Sequence, residues 1–257
     1  MLKTERHKII MDMIRQQQNV RVTDLKELFQ VSDETIRRDL AALEKEGQLR
    51  CVHGGAVYDS FAFDEFNVEV QIRSNVIEKE AICAEAAKLV NDGDSVAIAG
   101  STTTLALGKH LAKKNKLTVI TNSIQLANQI SMNASNNVIV VGGKLLREQQ
   151  KMMGQLAAHD FKRYRVDKAF FSVTGISVKD GITEYTESEC DVLKAVIQIS
   201  KERILLNDAT KYKMTGFCRL TDVTDVNTIV TDWHVDEKFM MPYTDLGIDV
   251  VFAKEEE

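Results

Sequence analysis

The stretch Gly100-Ser101-Thr102-Thr103-Thr104 follows the apolar run Ser95 to Ala99 and has the composition of an anion cradle. Small residues let a ligand approach the backbone and hydroxyls can donate. A helix opening behind the threonines would add free N–H groups and its positive dipole end. The stretch lacks both the Gly-Lys-Ser/Thr ending of a Walker loop and the spacing of a dinucleotide turn, which disfavours nucleoside triphosphates and NAD. Other apolar runs are followed by Asn122, by Gly142, Gly143, Lys144 and Arg147, by Thr174 and Gly175, and by Asp208 and Lys211. Arg147 or Lys211 suits a phosphate, while Asp208, Asn122 and the threonines suit hydroxyls, so the set fits a phosphorylated sugar. Each residue alone is better explained as a cap or a surface group; their common position after apolar runs favours a ligand.

A second set, nearer the N-terminus, fits nucleic acid. Ser32 is a good N-cap, and Asp33 and Glu34 place negative charge in the first turn that follows. Ile36, Leu40 and Leu43 then make one apolar stripe, with Glu34, Arg38, Ala41 and Lys45 on the far side and Arg37 on its flank. Gly47 ends this helix. Gln48 to Val52 is a short extended run, and His53-Gly54-Gly55-Ala56 is turn chemistry leading to a second strand. Upstream, Thr4 to Gln18 reads as a helix with Ile10, Met13 and Ile14 inward. Thr23 caps a short helix carrying Leu25 and Leu28, and Phe29-Gln30-Val31 is a tight connection. Three helices and a Gly-Gly wing make a winged helix-turn-helix, whose last helix docks in the major groove. Arginines on an open helix face are often only solvated, and here the preceding helices argue for more. The expected DNA contacts are Ser32, Glu34, Thr35, Arg37, Arg38, Lys45, Arg50, His53 and Gly54.

Charge alone would not suggest DNA. The 257 residues carry a net charge of −5 with a pI near 5.7. Residues 1–58 hold ten Lys and Arg against nine Asp and Glu, a balance of +1. One copy should therefore bind weakly, and useful affinity should need a homo-oligomer, a dimer or tetramer, on duplex DNA. Cys51, Cys83, Cys190 and Cys218 show no C-x-x-C spacing and pair with no histidine pattern, so free thiols are expected, with no metal and no cofactor. Met1 leads straight into a charged helix and no apolar run reaches membrane-spanning length, so a cytoplasmic protein is expected.

Two domains are expected, residues 1–58 and 76–257, joined by an extended connector over 59–75. The connector's Phe61, Phe63, Phe66, Val68, Val70 and Ile72 give it an apolar side that fits packing on one or both domains or, equally, an edge strand of the second. From Ile77 helices alternate with buried strands at Ser95–Ala99, Leu117–Thr121, Asn137–Val141, Asp167–Val173, Arg203–Leu206, Thr228–Thr231 and Asp249–Phe252, the pattern of an α/β fold with a mainly parallel sheet. In such sheets ligands bind outside the strands' carboxyl ends, where the polar residues gather.

Two groups of residues resemble a known family. Arg6 through Ile10, Val31-Ser32, Thr35-Ile36-Arg37-Arg38-Asp39-Leu40, Leu43-Glu44 and His53-Gly54-Gly55-Ala56 resemble the N-terminal signature of the DeoR family of bacterial transcriptional regulators. Glu78-Lys79, Ile82, Asp92-Gly93-Asp94, Thr102-Thr103-Thr104, Thr121-Asn122-Ser123, Gly142-Gly143, Gly154, Asp167-Lys168-Ala169-Phe170, Gly175-Ile176, Gly181-Ile182-Thr183, Glu189 and Asp208 with Lys211 are similar to its sensor domain. The resemblance implies a winged helix-turn-helix, an α/β domain similar to ribose-5-phosphate isomerase, and a repressor modulated by a phosphorylated sugar or related metabolite. Cys51 stands where the family usually carries a second arginine beside Arg50. Ala99, Ser101, Thr186 and Ser188 stand where it carries Asp, Gly, Asp and Glu, and Cys190 replaces an Ala. Fewer carboxylates imply an unusual effector, a weak one or none, which leaves open a regulator answering to a protein partner. An isomerase-like enzyme is the other alternative, with Glu184, Glu187, Glu189 and Asp208 as the carboxylates available for proton abstraction; no catalytic residue is assigned.

Overall fold

A computed structural model describes residues 3–17, 19–45, 49–52, 54–57 and 74–255. The chain divides into two compact units, Met1–Arg73 and Ser74–Glu257.

In the N-terminal head, α1 (Lys3–Gln17), β1 (Asn19–Arg21), α2 (Val22–Phe29) and α3 (Asp33–Lys45) precede a wing of β2 (Arg50–Val52) and β3 (Gly55–Val57). The sheet order is β1-β3-β2, both pairings antiparallel. The sequence reading did not anticipate β1. It expected Thr23 to cap α2, but α2 begins at Val22, whose N–H donates to Gly54 O at 3.0 Å. Gly55 has to be glycine, because a Cβ there would lie 2.1 Å from Val20 O, across the β1–β3 pairing. The core is built on Ile10, Ile14, Leu25, Ile36, Leu40 and Leu43. Met13 packs on this core partly buried, with Met11 buried beside it, and Leu28 is 55% exposed while Val22 takes the inward place on α2. Gln30, at φ 52°, makes the left-handed turn between α2 and α3.

The α/β lobe holds a seven-stranded parallel sheet. It comprises β4 (Ser95–Ile98), β5 (Thr118–Thr121), β6 (Asn137–Val140), β9 (Val166–Phe171), β12 (Ser200–Leu206), β14 (Thr228–Thr231) and β15 (Asp249–Phe252). The order is β15-β14-β12-β9-β4-β5-β6, so strand order reverses between β4 and β9. Successive residues along a strand serve opposite faces. Ala97, Ala169, Phe171 and Leu205 enter one core with α7 (Gln155–Phe161), α8 (Glu187–Ile199) and α9 (Glu237–Thr244). Val96, Ile98, Phe170 and Ile204 enter the other, with α4 (Val76–Lys88), α5 (Thr104–Leu111) and α6 (Ile124–Ser131).

Three features were not read from sequence: the hairpin of β7 (Lys144–Leu146) and β8 (Lys151–Met153), helices α7 and α9, and a small antiparallel sheet. That sheet joins β10 (Gly175–Ser177), β11 (Gly181–Glu184) and β13 (Cys218–Thr221) in the order β10-β11-β13. Residues 58–73, most of the expected connector, lie outside the described residues.

Candidate nucleic-acid interface and ligand-binding edge

Helix α3 is set by its cap and its buried charge. Ser32 Oγ accepts from Thr35 N at 3.3 Å and lies 2.9 Å from Thr35 Oγ1, so both residues serve the helix start. Asp39, 2% exposed on the inner side of α3, accepts from Arg6 Nε at 2.5 Å, and His7 Nε2 lies 3.2 Å away. Burial alone would raise the Asp39 carboxyl, but the hydrogen bonds from Arg6 and His7 outweigh it and hold it below the usual range. Arg6 and His7, on α1, thereby anchor α3.

The outer face carries Glu34, Arg37 and Arg38, all exposed. Arg38 Nη2 donates to Glu34 Oε1 at 3.1 Å with both side chains mostly in solvent, a pair worth less than about 1 kcal/mol that a phosphate or base can displace. Asp33, in the first turn of α3 as expected, also pairs with Lys26 of α2 at 2.9 Å. Glu44 Oε1 accepts from Cys51 N at 2.7 Å and so ties the wing to α3. Burial and then Glu44 push the Cys51 thiol up to about 11. Gly54 is exposed at φ 86° in the wing turn. Lys45 ends α3 and Arg50 opens β2, while their side chains, and His53 altogether, lie outside the described residues.

In the lobe, the loops after β4, β5, β9 and β12 meet at the carboxyl edge. Gly100 N donates to Asn122 Oδ1 at 2.7 Å, and Asn122 Nδ2 donates to Met152 O at 2.9 Å. A Cβ on Gly100 would lie 2.7 Å from Ser123 Cβ, so the first two loops touch. Ser101 and Thr104 cap each other: Thr104 N donates to Ser101 Oγ at 3.0 Å and Ser101 N to Thr104 Oγ1 at 2.8 Å. Thr104 also donates to Ala99 O and is fully buried, so it shapes the loop from within. Thr103 is buried, with Ser172 Oγ 3.4 Å from its hydroxyl, whereas Ser101 and Thr102 are partly open.

Several predicted ligand residues have other places. Gly142 N donates to Asp160 Oδ2 at 2.9 Å, and Gly143, at φ 141°, packs on Met153 O. Lys144 and Arg147 are exposed on the β7–β8 hairpin and its turn. Gly175 opens β10, with no room for a Cβ beside Met214 O. Asp208 is 2% exposed and caps the short helix Ala209–Lys213 through Thr210 N at 3.0 Å; Lys211 lies in that helix, half-buried.

Three side chains that sequence reasoning did not name lie at this edge, Ser172, Asn207 and Lys151. Ser172 donates to Asn207 Oδ1 at 3.1 Å, Val173 N does the same at 3.1 Å, and the buried Asn207 Nδ2 has no partner among the described residues. Lys151, 7% exposed, donates to Glu189 Oε1 at 3.1 Å, and Thr186 donates to Glu189 Oε2 at 3.0 Å. Glu184, buried, accepts from Thr174 N at 3.1 Å and from the Thr174 hydroxyl at 2.8 Å. Among the described residues no group of three or more His, Cys, Asp or Glu could hold a metal ion. No helix there is long and apolar enough to cross a membrane.

Both units match described families. Residues 6–61 match the DeoR-like helix-turn-helix domain, and residues 74–233 match the DeoR C terminal sensor domain. The chain belongs to the DeoR family. An uncharacterized HTH-type transcriptional regulator of Bacillus subtilis (strain 168), YulB, is 36% identical over 97% of this chain and 96% of its own length. The HTH-type transcriptional repressor GlcR of the same organism is 32% identical over 100% of this chain and 99% of its own. A putative aga operon transcriptional repressor of Escherichia coli O157:H7 is 26% identical over 98% and 94%. Ribose 5-phosphate isomerase from Plasmodium falciparum is similar over 53% of this chain and 52% of its own, at a TM-score of 0.39 and 12% identity. Like its DeoR-family relatives, the protein is a DNA-binding transcriptional regulator with a sensor domain.

Proposed function

We propose that the protein is a homo-oligomeric repressor whose operator affinity is tuned by a phosphorylated sugar bound at the carboxyl edge of its sheet. The observation that supports this most is the convergence of the Gly100–Thr104 loop with the loops after β5, β9 and β12 where strand order reverses. Ser101, Thr102 and the start of α5 would meet the phosphate. An effector acts only through its differential affinity for two states, here one in which paired α3 helices match their half-sites and one in which they do not.

The relatives' names favour a regulator over an isomerase, and so does Glu184, which is buried, hydrogen-bonded and raised toward the neutral acid. Turnover of ribose 5-phosphate by the purified protein would overturn this choice. The test is a thermal-shift screen of sugar phosphates beside a gel shift on the protein's own upstream DNA: a true effector stabilises the folded protein by mass action and releases or strengthens the DNA complex.

At the DNA end, Arg38→Ala should weaken specific operator binding by about 1–3 kcal/mol, a roughly tenfold to hundredfold rise in Kd. Its present partner Glu34 is a solvated surface contact, so little folding stability should go with it. Wild-type footprints from a variant that binds undiminished would remove α3 from the reading position.

A further inference from the structure

We propose that Lys151 and Glu189 read the hydroxylated end of the ligand, setting which sugar phosphate is accepted, while the Ser101–Thr103 loop holds the anion. This rests on the sugar-phosphate reading above and adds to it the pair that confers specificity.

The first ground is donor bookkeeping. The Lys151 ammonium carries three protons. Only one of them has a partner among the described residues, Glu189 Oε1 at 3.1 Å, although the Lys151 side chain is 9% exposed. A buried cation left so incompletely satisfied is costly and suits a site that another acceptor completes. Glu189 is the more open partner, at 22%, and its two oxygens take one hydrogen bond each, from Lys151 and from Thr186. The pair therefore offers spare donors and spare acceptor lone pairs side by side. Carbohydrate hydroxyls, which both donate and accept, match that arrangement, whereas a second anion could use only the lysine's donors and would stand against the Glu189 carboxylate.

The second ground is position. Lys151 bridges to Ser123 in an isolated antiparallel contact, and Ser123 abuts Gly100 at the start of the anion loop. On the other flank, Thr174 follows the Ser172–Asn207 contact and holds Glu184, whose carboxyl is in turn influenced by Glu189 and Lys151. The pair thus sits beside the cradle. Thr186 and Ser188 next to it are hydroxyls, Glu184 is drawn inward and Glu187 is exposed, so Glu189 is the carboxylate of this turn that Lys151 holds beside the cradle.

The experiment compares inorganic phosphate with ribose 5-phosphate, glucose 6-phosphate and fructose 6-phosphate by calorimetric titration and thermal shift. It uses the wild-type full chain, Glu189→Gln, Lys151→Met, and the double variant Lys151→Met with Glu189→Leu. The double variant removes both charges together and keeps the fold accessible if one unpaired ion does not. The wild type is expected to bind at least one sugar phosphate more tightly than phosphate. Each variant should lose about tenfold to hundredfold in that affinity while its phosphate affinity stays within about twofold. Variants that retain the wild-type preference, or a wild type that does not distinguish the sugar from phosphate, would overturn the assignment and leave the sensor reading standing. If no phosphorylated compound binds the wild type, both fall.

Discussion

Replacing Asp39 by alanine is expected to destabilise the N-terminal head by about 3–5 kcal/mol, because it leaves the Arg6 guanidinium buried without its carboxylate. Domains of this size have roughly 0.05–0.15 kcal/mol of stability per residue, so the loss would take most or all of the head's margin. Calorimetry of the full chain should show the head's transition moved far down while that of the α/β lobe stays in place, and operator binding should vanish with it. The double change Arg6→Met with Asp39→Leu should restore much of the stability, since two apolar groups need no partner. The pair also fixes an acid limit. The Asp39 carboxyl is held below its ordinary value of 3.8, so its contribution is present above that value and disappears as pH falls through the lowered one. A head transition in Asp39→Ala indistinguishable from wild type would show that α1 and α3 are held together by the apolar contacts alone.

That pair shows which parts of the molecule were legible in advance. The stripe Ile36, Leu40, Leu43 is local, so its 3.6-residue period gave α3 and its buried face directly. The apolar runs of the parallel sheet were equally plain, because strands covered on both faces need continuous hydrophobicity. Asp39 carried no such signal as a core residue: its partner Arg6 is 33 positions away, and a charge on a helix reads as surface until that partner is placed. Lys151 was missed for the same reason, with Glu189 38 positions distant and its own strand only three residues long. Strand β1 was illegible because Asn19-Val20-Arg21 is only three residues long, too short for its alternation to register, and exists through its pairing with Gly55 to Val57. At the carboxyl edge, strand ends located the anion loop. They gave no sign of the hairpin that carries Lys144 and Arg147 to the surface, and said nothing of Asn207, whose contacts come from the end of a neighbouring strand.

Glu184→Gln should change the pH dependence of the α/β lobe more than any other single substitution there. Burial is the main cause that lifts this carboxyl from an ordinary 4.5 to about 8, and the nearby Glu189 adds to it; the Thr174 hydroxyl and backbone N–H and the Lys151 cation oppose them. The folded chain therefore binds a proton that the unfolded chain releases above 4.5. The stability this represents is complete below about 4.5 and is lost as pH rises through about 8. Glutamine keeps the shape without the charge: its oxygen can accept from Thr174 N while its amide donates to the Thr174 hydroxyl. Urea midpoints of the variant should thus be nearly flat between about pH 5 and 9, and at the upper end the variant should exceed wild type by on the order of 3 kcal/mol. Because Glu189 is part of what raises Glu184, Glu189→Gln should bring the wild-type slope to lower pH, a coupling that isolated burial would not produce. Parallel profiles for wild type and Glu184→Gln would mean that the three donors around the carboxylate, from Thr174 and from Tyr185 N at 3.3 Å, keep it ionised against the desolvation. Glu189 would then face a second negative charge behind Lys151, and a ligand presenting only hydroxyls would compete there with the lysine's pull toward two carboxylates instead of one.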